Sequence, residues 1–353
     1  MKATPRVSVV IPAYNVEQYI GRCLHGLCQQ SEGNIEIIVV DDGSVDGTAE
    51  IVRAYQRKDD RILYFHQENA GSSSARNRAI DQARGEFIAM QDADDYSHPE
   101  RLARQAHFLR ESPSHVVVGT AGRIVSSHDH FCGVISPPRD SASVRAQMRS
   151  RMAFVHPSVM IRRSALDDAR YEPSLRTSED FHLLRRLLEK GEGSSLAEPL
   201  YFYRMSGMQL TMTKVVDGAI RSTLIAKGRG EESVAEFTRS DALRCGLSTT
   251  EVDAAVLSRL EYALRLNRVC GNAGAISDVL SAGQAYREEV GDAAVMARLA
   301  ALDVVYGRNV RSLSNRQTSY EVARLLVREA RYRAHIAKSN VSFRKWNYRP
   351  TEG

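Results

Sequence analysis

Cysteine is scarce in this chain: Cys23, Cys28, Cys132, Cys245 and Cys270 are the only five in 353 residues, scattered and odd in number. Their spacing suits neither a disulfide framework nor a paired thiolate metal site, so reduced thiols in a cytoplasmic setting are expected. Long apolar runs are missing too. No uninterrupted stretch approaches the roughly 18–20 residues needed to cross a bilayer. The start, Met1 to Arg6 followed by a short run into Pro12, lacks the extended apolar region of a secretory signal. Internal repeats and low-complexity tracts are absent. What remains is an ordinary globular composition, 43% hydrophobic, in a chain long enough for one catalytic domain and an appendage.

Apolar runs alternate with loop chemistry along the first half. Arg6 to Pro12 reads as a first strand, β-branched and then stopped by proline, which cannot donate to a ladder. A helix should follow, capped by Asn15, with Val16, Ile20, Leu24 and Leu27 as its apolar stripe. Ile35 to Val40 is a second strand whose near-continuous apolar character suits a parallel strand covered on both faces. It runs into Asp41-Asp42-Gly43-Ser44, and Asp46-Gly47-Thr48 opens the next helix. Glycine there permits close approach of backbone to a ligand, and a strand-end carboxylate can accept from a ribose or base edge; a solvated loop capped by Asp46 fits the same residues.

Arg61 to His66 is a third strand, leading through Asn69-Ala70-Gly71-Ser72-Ser73-Ser74 into a helix with Ala75-Arg76-Asn77. A small-residue turn at a helix N-terminus favours anions, and Arg76 adds a bidentate phosphate donor, with a surface arginine as the plain alternative. Phe87-Ile88-Ala89-Met90 is a fourth strand, and Gln91-Asp92-Ala93-Asp94-Asp95 sits at its C-terminal end, where open α/β sheets bind ligands. Carboxylates in this D-x-D spacing offer hard oxygens to Mg²⁺ or Mn²⁺, which can neutralise a diphosphate. Alone, such a triplet is equally at home in a solvated turn.

Together these motifs resemble those of family 2 glycosyltransferases, inverting enzymes of the GT-A fold. The resemblance covers about residues 5 to 210 and rests on Val9 to Asn15, Val39 to Thr48, Asn69-x-Gly71 with Ala75-Arg76-Asn77, and Gln91 to Asp95, in order and in register. Two positions depart from the family pattern, Ala79 where glycine is usual and Gln91 where an apolar residue is usual. The resemblance implies an α/β doubly wound mixed sheet flanked by helices. It also implies roles. Pro12, Tyr14 and Glu17 would line the nucleotide pocket, with Asp42 on the base or ribose and Arg76 near the base or diphosphate. Asp92 would hold ribose or sugar hydroxyls, and Asp94 would be the main protein ligand of Mn²⁺ or Mg²⁺.

Inverting transfer needs a base opposite the leaving group, and Thr177-Ser178-Glu179-Asp180-Phe181 opens a helix with Leu184, Leu187 and Leu188. Helix-dipole capping would also explain carboxylates there. By its place in the chain it matches the family's Glu-Asp motif, which implies Asp180 as base and Glu179 as the neighbour orienting the acceptor. His156 in the segment Met152 to Arg163 is either an acceptor contact or a satisfied structural histidine. Tyr201-Phe202-Tyr203-Arg204 ends the last strand, and Met205-Ser206-Gly207-Met208 supplies no histidine as a second metal ligand.

From about residue 216 the composition turns to alanine, leucine, arginine and glutamate at helical spacing, as across Val252 to Leu264. The expected division is a catalytic domain over 1–215 and an all-α appendage over 216–353. Residues 321–353 hold eight Lys or Arg against three Glu, a surplus of five that equals the formal net charge of +5. With Tyr332, Phe343, Trp346 and Tyr348 this tail suits an anionic membrane surface as well as a solvated helix, and nucleic acid is not expected. The implied activity is metal-dependent transfer of a hexose, glucose or one like it, from a UDP-sugar donor to a hydroxyl of a glycan or lipid-linked acceptor in surface polysaccharide assembly. The expected place is the cytoplasm, peripheral at the inner face of the membrane. A nucleotidyltransferase, which usually carries a glycine-rich signature near its N-terminus, and a non-catalytic sugar-nucleotide-binding scaffold are the alternatives.

Overall fold

The computed structural model describes residues 4–205, 214–229, 238–307 and 316–342. The apolar runs pair as a parallel half-sheet: β1 (Val7–Ala13), β2 (Ile35–Asp41), β3 (Ile62–His66) and β4 (Phe87–Met90) lie in the order β3-β2-β1-β4. Every residue of β2 is buried, as a strand covered on both faces requires. Five further strands complete the sheet: β5 (Tyr96–Ser97), β6 (His115–Ser126), β7 (Phe131–Ile135), β8 (Met160–Arg162) and β9 (Glu192–Met205). Beyond β4 the order is β8-β6-β9-β5, with β8 antiparallel to both β4 and β6, β9 parallel to β6, and β7 paired to β6.

Alternate residues of β1 face opposite layers, following the period of two along a strand. Val7, Val9 and Ile11 pack with α1 (Glu17–Cys28), α2 (Thr48–Gln56) and, past the helix α3 (Ser72–Gln82) in sequence, α4 (Arg101–Glu111). Val10 faces the other way, towards α3, α5 (Ser141–Gln147) and α6 (Glu179–Lys190). The C-terminal part is helical: α7 (Val215–Ala226), α8 (Arg239–Arg244), α9 (Thr249–Cys270), α10 (Ala273–Glu288), α11 (Ala293–Gly307) and α12 (Arg316–Ser342). The stripe Val252, Val256, Leu260 and Leu264 is one face of the 22-residue α9, which starts with a capping box between Ser248 and Glu251. Its core meets the sheet at Ile124, Cys132 and Met205. Helix α7 joins both cores, placing Ile225 in one and Ala219, Ile220 and Leu224 in the other.

Two local expectations change. Strand β1 is not stopped by Pro12 but runs on to Ala13, with Pro12 opposite Val40. Pairing with β4 ends at Val10, whose carbonyl accepts from the Gln91 N–H at 3.1 Å. Pro12 has the parity of Val10, so its missing N–H faces the side from which the chain after β4 has turned away. Asn15 does not cap α1. It sits at φ 50°, and its Oδ1 accepts from the Val45 N–H at 2.9 Å, stitching the β1–α1 loop to the β2–α2 loop.

All five cysteines are free. No described helix is long and apolar enough to cross a membrane. Ser206, Gly207, Met208, Phe343, Trp346, Tyr348 and the side chain of Tyr332 lie outside the described residues.

Candidate active site

The loops at the C-terminal ends of β1, β2 and β3 are tied into one rim. Ser44 Oγ accepts from the Asn15 N–H at 3.0 Å, Thr48 Oγ1 from Val16 at 2.9 Å, and Glu17 Oε2 from Gly47 at 2.7 Å. Asp42 is buried and takes the Ala70 and Gly71 N–H groups at 2.9 and 2.8 Å, and the Gln67 amide at 2.7 Å. These bonds set the entry to α3, where Gly71 turns at φ 89°, a conformation glycine adopts without strain. Tyr14 stands half exposed above this rim, and Pro12 lies partly buried at its base.

The acidic motif is held from behind by residues to which the sequence reading gave no site role. Tyr201 Oη accepts from the Asp92 N–H at 3.1 Å. Arg204 donates its backbone N–H to Asp95 Oδ1 at 2.6 Å and its Nε to the Asp94 carbonyl at 2.8 Å. The departure at Gln91 has a physical reason: its Oε1 accepts from Ser97 Oγ at 2.7 Å and from Nη1 of the fully buried Arg101 at 2.9 Å, which an apolar residue could not do. Ala79 is simply buried in the core beside α3's other small residues. Asp95 is also buried, and its Oδ2 meets no hydrogen-bond partner among the described residues. Burial, then the charges of Asp94 and Asp92, push its proton affinity well above the usual carboxylate range.

No described group of three or more His, Cys, Asp or Glu residues forms a cage for a metal ion. The donor set fits Mg²⁺ or Mn²⁺ in another way. A partly exposed Asp94 beside crowded negative charge and an orphaned carboxylate oxygen suits an ion that draws its remaining ligands from water and a diphosphate.

Across the cleft, Glu179 and Asp180 open α6 immediately after Ser178, which turns at φ 61°. Arg76 connects the two sides. Its Nη2 lies 3.0 Å from Asp92 Oδ1 and its Nη1 lies 3.2 Å from Glu179 Oε1. The guanidinium is buried rather than on the surface, with its Cζ 5.4 Å from the centre of the Tyr171 ring. Asn77 clamps Tyr171 in both directions, donating to its carbonyl at 2.8 Å and accepting from its N–H at 2.9 Å. His156 is satisfied inside this cluster, with Nε2 2.7 Å from the Tyr171 hydroxyl. Burial and the charge of Arg76 bring its pKa down to about 3, so it is neutral at physiological pH.

Burial and then the charge of Asp180 push Glu179 up to about 7, against the pull of Arg76. Asp180 is raised by burial as well, opposed by the Phe181 N–H, which donates to its Oδ1 at 2.7 Å, and by Arg76 and Arg259. A carboxylate whose proton affinity is raised by burial is suited to act as a general base.

The residues 8–170 match the family model of glycosyl transferase family 2. EpsE of Bacillus subtilis, named as a glycosyltransferase, is 33% identical over 62% of this chain and 81% of its own length. The chain belongs to this family. EpsH of the same organism is 47% identical, but over only 28% of each chain, so the chain spans little more than a quarter of that relative. In solved structures, residues 1–349 of S. aureus TarS in complex with UDP-GlcNAc share the fold, with a TM-score of 0.53 and 22% identity over 90% of this chain and 92% of that one. The doubly wound mixed sheet with C-terminal helices is thus the GT-A arrangement.

The Glu-Asp turn is braced from α7. Thr177 Oγ1 donates to Asp217 Oδ2 and accepts from Arg221 Nε at 3.2 Å, while Ser178 Oγ donates to the Gly218 carbonyl at 3.3 Å. Arg221 is fully buried and its Nη2 lies 3.4 Å from Asp217 Oδ1. None of this was legible locally, since the partners are about 40 residues apart. Replacing Asp217→Ala leaves the buried guanidinium without its carboxylate and is expected to cost about 3–5 kcal/mol in urea unfolding. Stability equal to that of the parent chain would contradict the bracing role.

Proposed function

We propose that this chain is an inverting transferase that moves a hexose from a UDP-sugar to a hydroxyl of a glycan or lipid-linked acceptor in surface polysaccharide assembly. The observation that carries the reading is the Arg76 bridge, which ties a strand-end carboxylate cluster to a helix-start carboxylate pair whose proton affinity is raised. The rim of Pro12, Tyr14, Glu17 and Asp42 receives the nucleotide, and Asp92 holds sugar or ribose hydroxyls. Asp180 takes the proton of the acceptor hydroxyl as that oxygen attacks the anomeric carbon, and Glu179, held by Arg76, orients the acceptor. Asp94 would hold Mg²⁺ or Mn²⁺, which when bound supplies Lewis-acid neutralisation of the departing diphosphate. Arg76 stays charged near that diphosphate.

We take residues 1–215 as the catalytic unit and 216–353 as a helical region, with the boundary at the first turn of α7. The exposed Leu326 and Val327 of α12, flanked by exposed Arg324 and Arg331, support a peripheral site on an anionic cytoplasmic membrane face. Co-sedimentation with vesicles tests this: binding should appear with anionic lipid and fall with salt, and equal retention on neutral vesicles would count against it.

Purified protein with Mn²⁺ should slowly release the nucleoside diphosphate from one of a panel of UDP-, GDP- and dTDP-sugars, and chelator should abolish the release. Asp94→Ala should abolish it too. Asp180→Asn should lower turnover by about 10²–10⁴-fold while leaving nucleotide binding in place. Because a raised pKa means protonation at higher pH, the acid limb of the rate should lie above the ordinary carboxylate range of about 4. A rate flat down to that range, or the absence of any nucleotide binding, would overturn the reading.

A further inference from the structure

The turn that leads into Asp180 is flanked by the C-terminal helices. Helix α9 carries Arg259 and Tyr262 three residues apart, hence on one face. Arg259 lies against Gly218 of α7: its Nη2 is 3.6 Å from where a Cβ on that glycine would stand, and Thr177 Cβ is 4.0 Å from the same point. Thr177 opens the turn that presents Glu179 and Asp180. Arg259 is partly buried, yet it has neither a hydrogen bond nor an ion-pair contact among the described residues. The planar fork of a guanidinium so placed is suited to an oxyanion. Its charge reaches Asp180 and offsets part of the burial there. Tyr262 is 43% exposed and continues the exposed stripe of Ala254 and Ser258 along α9.

We propose that Arg259 and Tyr262 form the anchoring half of the acceptor site. The Arg259 fork takes an oxyanion of the acceptor, phosphate or carboxylate, and the Tyr262 ring is a platform for the adjoining sugar or polyol, with the hydroxyl to be glycosylated turned towards Asp180. This rests on the transferase reading above. It also gives the helical region a role in the reaction: the catalytic unit alone would carry the base without the anchor that brings the acceptor to it. A planar guanidinium matches both oxyanions bidentately, whereas lysine in its place would keep only a point charge.

The test is calorimetric titration of the full chain, saturated with UDP and Mn²⁺, with sn-glycerol 3-phosphate, glucuronate, and the uncharged controls glycerol and glucose. At least one charged probe should bind more tightly than its neutral counterpart. Arg259→Ala and Arg259→Gln should each weaken that probe by about tenfold or more, and Arg259→Lys should restore part of the loss. Whichever oxyanion responds identifies the acceptor chemistry. A UDP titration of each variant reports whether the donor rim is folded. Failure of both charged probes to bind, or binding indifferent to all three substitutions, would overturn the subsite even if donor sugars are hydrolysed. Arg259-dependent binding without hydrolysis of any donor would leave the subsite standing and sink the transferase reading instead.

Discussion

One guanidinium is shared by carboxylates from opposite sides of the cleft. Arg76 is almost fully buried, and it meets Asp92 at the end of β4 and Glu179 at the start of α6. Burying an arginine is tolerable only where opposite charge and hydrogen bonds replace water, and removing one partner of such a group costs far more than the pair contributes to stability. The same charge restrains the repulsion between Glu179 and Asp180, two carboxylates adjacent in sequence and both raised by burial. Without it, the helix start would have to hold protons or open to water.

The surrounding structure serves to place this group. Asp42 takes the N–H groups of Ala70 and Gly71, setting the turn into α3, and Arg76 follows one turn into that helix. The rim that we assign to the nucleotide is therefore mechanically continuous with the bridge. Tyr171 lies beneath the guanidinium, fixed by Asn77 and His156. On the far side, Asp217 and Arg221 of α7 hold Thr177 and so the strained Ser178 turn. The helical region is joined to the Glu179–Asp180 turn by hydrogen bonds as well as by the apolar contacts of its core.

Much of this was legible in the sequence, and what was not has a common cause. The strands were readable because apolar runs such as Ile35 to Val40 pair as parallel strands, whose burial on both faces makes them continuous. The motif residues could be placed at strand ends for the same reason. Arg76 was visible as a cation at a helix start, but its partners were not: Glu179 is 103 residues away, and no local rule links them. Arg204 and Tyr201 read as strand residues, since nothing in Tyr201 to Arg204 reveals that this end of β9 backs onto Asp92, Asp94 and Asp95. Pro12 was misread as a terminator because a single strand does not disclose which neighbour ends first.

Arg76 is expected to couple the Asp92 and Glu179 carboxylates energetically. A double-mutant cycle on kcat/KM for donor turnover, with Arg76→Met, Glu179→Gln and the combined variant, measures that coupling directly. The expected result is strong non-additivity, a coupling of about 1–3 kcal/mol, with the double variant little worse than Arg76→Met alone. Losses that add to within about 0.5 kcal/mol would contradict it, since the two residues would then act independently.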